Sequence, residues 1–299
     1  MKLKRLIAAA AVVSLSLAGC VTPMAHAETP PRGAVPGPAL WQVRDADTTI
    51  YLFGTVHALP QGKEWFDGRI ERAFTAADEL VTEVDIRDQS ASTAAMQRAA
   101  MLPEGTSLRD LMTPDNRQQF EAALVSLGLP VEALDRLEPW MASLTMSLLP
   151  LLQQGYQTES GVEMALSERA GTKQRDALET VAQQIDLFDG MPIDAQLTFL
   201  DKTVEAMPEA KTSLDAMVDE WIVGDADALA TMLNAELDDP VLYQRLLTQR
   251  NANWAGWIER RLQQPGTVFI AVGAGHLAGK DSVQRQLRKR GVKVERVWQ

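Results

Sequence analysis

Cysteine is nearly absent from this sequence: 299 residues contain one, Cys20. A single thiol cannot form an internal disulfide, so stability must come from a buried core. Histidine is almost as scarce, with three residues, His26, His57 and His276. Positive charge is also short: 29 Lys and Arg face 40 Asp and Glu, for a formal net charge of −11, which argues against nucleic acid or an anionic lipid surface as the main partner. There is no His-Glu-x-x-His helix, no Gly-x-Ser-x-Gly elbow and no Walker loop, which excludes three common routes to hydrolysis. Nor is there an uninterrupted apolar run long enough to span a bilayer. The stretch "PWMASLTMSLLPLLQQG" is short and broken by Pro150, and reads as a buried helix.

The N-terminus has its own grammar. "MKLKRLIAAAAVVSLSLAGC" has a basic start, a short apolar stretch and a small-residue end, the layout of a secretory signal. "LAGC" resembles a bacterial lipobox and makes residues 1–19 a lipoprotein signal peptide, with Cys20 the lipidated first residue and the membrane a partner through that anchor. Cleavage after Ala27 in "AHA" is the competing reading. Either way the chain is expected to be exported and periplasmic. Losing Lys2, Lys4 and Arg5 with the leader moves the charge from −11 to −14. Residues 20–38, rich in Pro and Gly, read as a flexible tether, and residues 39–299 as a single domain.

In that domain, residues 40–43 and 49–53 read as a hairpin around a polar turn at 45–47, followed by a helix at about 67–77. "ELVTEVDI" alternates as a further strand containing Glu83. From about 88 to 262 the spacing is mostly helical, with one extended segment around Ala177 and Leu178 and a helix starting near Glu179. Strand character returns at 267–272, before a basic helix at about 280–290 and a last strand in "VKVERVW". The expected fold is α/β or α+β, a mixed sheet built from the N- and C-terminal segments with a large helical insertion.

The two histidines of the domain share one context. "TIYLFGTVHALP" and "TVFIAVGAGHLAGK" each set an apolar strand before Gly, two residues and His: Gly54 with His57, and Gly273 with His276. Glycine would free the backbone for a sharp turn and return each imidazole over the strand ends, where ligands of open α/β sheets collect. Two imidazoles suit a metal, which needs at least a third protein ligand, often a carboxylate. Glu83, flanked by Val81 and Val84, is the candidate, although the exposed face of an edge strand would explain it equally, and Asp85 lies on the same face. "GAGHLAG" with Glu295 imitates a dinucleotide fingerprint, but no room follows for the next βαβ unit. Arg169, Lys173 and Arg175 are available to balance carboxylates.

"IYLFGTVHALP", "LVTEVD", "LETVAQQ" and "VFIAVGAGHLAGKDSVQRQLRKRGVKVERV", in that order, resemble the TraB/GumN family, to which the Tiki metalloproteases are related. The resemblance implies a divalent-metal-dependent hydrolase fold, with peptidase activity attributed to the Tiki branch. Carried over, His57 and His276 match the motif histidines and Glu83 the strand glutamate. Glu179 and Gln184 match the central Leu-Glu-Thr segment and its glutamine. The resulting expectation is a cell-envelope hydrolase in which His57, His276 and Glu83 hold Mn, Co, Fe or Zn. Glu179 acts as base or fourth ligand, and the substrate is a peptide or protein. The alternative is a lipid-anchored protein that binds a metal, haem or peptide without turnover.

Overall fold

The N-terminal hairpin forms where the sequence placed it. Strands β1 (Leu40–Arg44) and β2 (Thr48–Thr55) pair antiparallel, Leu40 opposite Phe53 and Arg44 opposite Thr49. Asp45 Oδ1 accepts from the N–H groups of Asp47 and Thr48 and reverses the chain between them. The computed structural model describes residues 37–298 apart from 61, 86, 88, 158–159 and 237–238. The stretch expected to be a leader, Cys20, His26 and most of the stretch expected to be a tether lie outside the described residues.

After β3 (Leu59–Pro60), helix α1 (Gly68–Ala76) is capped by Asp67, which accepts from Arg69 N and Ile70 N. Strand β4 (Glu79–Thr82) is shorter than its alternation suggested, because Thr82 Oγ1 donates to Val84 O and turns the chain. Glu83 therefore lies just past the strand. β4 is also interior rather than an edge strand, and all four of its residues are buried.

The helical middle comprises α2 (Gln89–Ala99), α3 (Pro114–Ser126), α4 (Pro139–Gln153), α5 (Val162–Arg169), α6 (Val181–Asp189), α7 (Ile193–Ala206), α8 (Ala210–Val223), α9 (Ala226–Glu236), α10 (Pro240–Tyr243) and α11 (Gln249–Arg261). Strands β5 (Tyr156–Gln157) and β6 (Gln174–Ala177) interrupt it. The uncharged stretch read as a buried helix is α4, which packs Trp140 and Met146 inside. Among the described residues no helix is long and apolar enough to cross a membrane. Strand β7 (Gly266–Gly273), helix α12 (Val283–Lys289) and strand β8 (Val294–Arg296) complete the chain.

Among the described residues the main sheet runs β6-β4-β7-β2-β1-β8. β6, β4, β7 and β2 are mutually parallel, whereas β1 is antiparallel to β2 and β8. The sheet is mixed and the fold is α/β, with strands from both ends of the chain side by side. Leu40, Phe53, Leu80, Trp221 and Phe269 fill one face; Trp41, Leu52, Val81, Trp254 and Ile270 fill the other. Covering both faces explains why β7 is an unbroken apolar run. Because four neighbouring strands run parallel, their C-terminal ends lie together at one edge of the sheet.

Candidate functional site

Each of those four ends delivers a side chain. His57 follows β2, Glu83 follows β4, Glu179 follows β6, and His276 lies in a 3-10 turn (Ala274–Leu277) directly after β7. In the sheet, Thr55 lies opposite Gly273, and Thr82 is opposite both Ala271 and Ala177. Side chains just beyond these pairs meet in one place. A Cβ placed on Gly273 would stand 3.2 Å from Glu83 Oε1, 3.7 Å from His276 Cδ2 and 3.9 Å from His57 Nε2. The bare glycine is the floor of a cradle formed by three candidate ligands.

The two motif glycines work differently from the sharp-turn reading, since neither has positive φ. They permit close approach instead. A Cβ on Gly54 would meet Ala274 Cα at 3.1 Å, and Gly54 O accepts from Trp221 Nε1 at 2.8 Å.

Arg250 on α11 binds the cluster together. Its Nε donates to Glu179 Oε1 (2.8 Å), its Nη2 to Glu83 Oε2 (2.6 Å) and Glu179 Oε2 (2.9 Å), and its Nη1 faces His276 Nε2 at 3.0 Å. Glu83 Oε1 accepts from Gly273 N at 2.7 Å. Glu179 Oε1 also accepts from Trp254 Nε1 at 2.9 Å, and Gln184 Nε2 reaches both Glu83 and Glu179 at 3.4 Å. Glu179 precedes α6, whose N-cap is Thr180, so it is a loop residue rather than a first-turn acid.

Both imidazoles are oriented from behind. Asn251 Nδ2 donates to Asp281 O, which fixes its Oδ1 as the acceptor for His276 Nδ1–H at 2.6 Å. The lone pair of His276 is then on Nε2, where Arg250 donates to it. His57 Nδ1 lies 2.7 Å from Glu163 Oε1, which also accepts from Thr55 Oγ1 at 2.5 Å. His57 Nε2 is therefore the atom turned toward Gly273. An imidazole held through Nδ1 by an oxygen acceptor is the usual support of a metal-binding histidine.

The electrostatics of the two rings diverge. Burial drives His276 down to about 3, against the pull of Glu83, so it is neutral at pH 7. The Glu163 hydrogen bond raises His57 to about 9, with burial opposing it. The His57 side chain is 76% exposed, so water screens this pair. Burial favours the protonated form of Glu83, yet the neighbouring His276 and Arg250 and the Gly273 N–H hold it down to about 2. With His276 neutral, Arg250, the Gly273 N–H and the protonated His57 provide that support at pH 7. Two carboxylates thus share one guanidinium, leaving surplus negative charge.

The donor set fits a divalent cation in kind: imidazole nitrogens at His57 and His276, each with its Nδ1 engaged elsewhere, and the anionic oxygen of Glu83, gathered over a residue without a side chain. Arg250 stands in the way. Among the described residues no three His, Cys, Asp or Glu side chains are close enough to hold an ion as they stand; His276 Nε2 would have to give up its bond from Arg250, and His57, which keeps its proton at pH 7, would have to release it from Nε2.

A family profile described as the TraB/PrgY/gumN family matches residues 39–296. The chain belongs to this family. It is 24% identical to a protein of Treponema pallidum, over 87% of this chain and 84% of that one. It is 23% identical to Metalloprotease TIKI1 of Danio rerio, over 86% of this chain and 62% of that one, and 22% identical to Metalloprotease TIKI1 of Homo sapiens, over 91% and 64%. The chain therefore spans less than two thirds of the length of these Tiki relatives. No solved structure matches.

The sequence reading brought His57, His276, Glu83, Glu179 and Gln184 together, and the fold places all five at this edge of the sheet. It missed Arg250, Asn251 and Trp254, which are on one helix, and Glu163. A signal existed for the first three: "QRNANW" sets Arg250 and Trp254 four apart, one helical turn, and the guanidinium lies 4.8 Å from the indole ring. Glu163 in "SGVEMAL" carries no such mark. The charges offered to balance the carboxylates lie elsewhere. Arg169 bonds Ala165 O, Lys173 the Ala77 carbonyl and Arg175 Ser167 O; Lys173 precedes β6 and Arg175 lies near its start, at the end of the strand opposite Glu179. Asp85 turns outward to pair with Arg87.

Proposed function

We propose that the chain is a divalent-metal-dependent hydrolase of the cell envelope acting on peptide bonds, with His57, His276 and Glu83 as ligands. The convergence of these three side chains over Gly273 carries the reading. Metalloprotease relatives point to the same class, and the leader with Cys20 supports the envelope. When bound, the ion would lower the pKa of a water toward neutrality and polarise the substrate carbonyl.

The chain's own residues do the rest. Glu163 and Asn251 keep both Nε2 atoms aimed into the site. Arg250, held by Glu83 and Glu179, provides a fixed positive charge for the oxygen that becomes anionic when a peptide carbonyl is attacked. Glu179 is the remaining carboxylate. Its Oε1 is taken by Arg250 and Trp254, but the second bond to Oε2, from Gln184, is the long one at 3.4 Å. Oε2 is the position that takes the proton from the attacking water.

The test is cleavage of a mixed peptide library by chelator-treated protein, with and without added Mn²⁺, Co²⁺ or Zn²⁺. Wild type is compared with Glu83→Gln and Glu179→Ala. Cleavage that appears with metal and is lost in both variants supports the reading. Cleavage that ignores metal and Glu179 contradicts it, and metal uptake without cleavage favours the non-catalytic binding protein.

A further inference from the structure

A cavity of about 570 Å³ lies beside the site, lined from α2, α4, α5 and α6, within the size range of small-ligand pockets. Its wall is mostly apolar and unusually rich in thioethers, with Met96, Met101, Met141 and Met164 all contributing. Methionine is unbranched and polarisable, suited to surfaces that adapt to a guest.

The cavity is continuous in the chain with the candidate centre. Val84 follows Glu83, Met164 follows Glu163 and Val181 lies two residues past Glu179, and all three line the wall. Gln184 lines it too, while its Nε2 reaches Glu83 and Glu179. Whatever fills the cavity therefore sits one side chain away from the carboxylates.

We propose that this cavity is the subsite for a large apolar side chain, Leu, Met or Phe, of a peptide whose adjoining backbone faces His57, Glu83 and His276. A peptide fits better than a lipid for two reasons. Thr93, Gln97 and Gln184 offer donors and acceptors along the wall, which amide groups satisfy and a hydrocarbon chain leaves unpaired. The neighbouring carboxylates repel an anionic headgroup. The inference deepens the hydrolase reading by naming the side chain beside the cleaved bond, but occupancy of the cavity can be observed without turnover.

The test is methyl NMR on the purified protein labelled with ¹³C at methionine methyls, titrated with the blocked tetrapeptides Ala-Ala-Leu-Ala and Ala-Ala-Asp-Ala. Signals are assigned by Met→Leu substitutions. Saturable shifts of Met96, Met101, Met141 and Met164 are expected with the leucine peptide, which should bind about tenfold or more tightly than the aspartate peptide. Met101 is 45% exposed, so Met101→Asp should fold and weaken leucine-peptide binding. Thr93→Trp, also at an exposed position, should fill the space and do the same. Absent or unsaturable shifts, equal response to both peptides, or shifts produced by dodecanoate alone would overturn the assignment. Saturable shifts with no cleavage of any peptide would leave the subsite standing and remove the hydrolase reading. Cleavage without these shifts would do the reverse.

Discussion

Arg250 Nη2 lies 2.6 Å from Glu83 Oε2, tying helix α11 to the end of strand β4 across 167 residues of sequence. The same guanidinium is bidentate to Glu179, so one cation serves two carboxylates that are 15% and 10% exposed in their side chains. Removing it leaves both buried with only the neutral donors Gly273 N, Trp254 and Gln184 hydrogen-bonded to them.

Arg250→Ala should therefore destabilise the fold by about 3–5 kcal/mol, the usual loss on breaking a buried ion pair from one side. Arg250→Lys should recover part of this, because an ammonium cannot reproduce the forked contacts to two carboxylates. Denaturant unfolding of the two variants against wild type measures both. Equal stability of wild type and Arg250→Ala would show that the pairs contribute nothing net.

The two motif glycines should separate stability from activity. In Gly54→Ala the new methyl meets Ala274 Cα at 3.1 Å, a backbone atom that cannot swing aside, and overpacking of this kind costs about 1–3 kcal/mol. In Gly273→Ala the nearest atom is Glu83 Oε1 at 3.2 Å, the tip of a side chain. That variant should fold nearly as well and lose metal binding and peptide cleavage. Thermal unfolding together with metal titration distinguishes them, and a Gly273→Ala protein that binds metal normally would contradict the cradle.

Much of this was legible in the sequence, and the reasons are local. A strand followed by Gly, two residues and His announces itself because β2 and β7 are buried on both faces and read as apolar runs. Glu83 was visible because a carboxylate among Val81, Thr82 and Val84 needs a partner. The end of β4 was not, since alternation continues through Asp85 while the Thr82 hydroxyl turns the backbone. Arg250 and Glu163 were hidden for a different reason. Each is an ordinary charge on a helix, and only the packing of α11 and α5 against the strand ends converts it into a partner of Glu83 or His57.

The two domain histidines should titrate on opposite sides of the usual imidazole value of 6.5 in metal-free protein. His57, bonded to Glu163, should hold its proton above that value, toward about 9, and His276, buried, should stay neutral to about pH 3. Ring-proton NMR against pH follows each directly. In Glu163→Gln the His57 midpoint should fall toward 6.5 while His276 is unmoved. Matching midpoints for the two rings in wild type would contradict their assigned environments.

Acid stability should depend on Asp67. Burial opposes ionisation of Asp67, but hydrogen bonds from the Arg69 side chain and from Ile70 N and Arg69 N hold its carboxyl below its ordinary 3.8. A depressed folded value means the contribution is complete above 3.8 and is lost as pH falls through the folded value. Asp67→Asn keeps an N-cap but cannot titrate. It should be less stable than wild type at pH 6, with a gap that narrows as pH drops below 3.8. Thermal unfolding from pH 6 to pH 2.5 measures that gap, and a constant gap would contradict the assignment.

The central claim is that His57 and His276, from opposite ends of the domain, hold one divalent ion together with Glu83. Isothermal titration of Mn²⁺ into chelator-treated protein tests it most directly. One ion should bind per chain in wild type, and binding should be lost in His57→Ala, His276→Ala and Glu83→Gln alike. Uptake that is absent from wild type, or that survives unchanged in these three variants, would contradict the account.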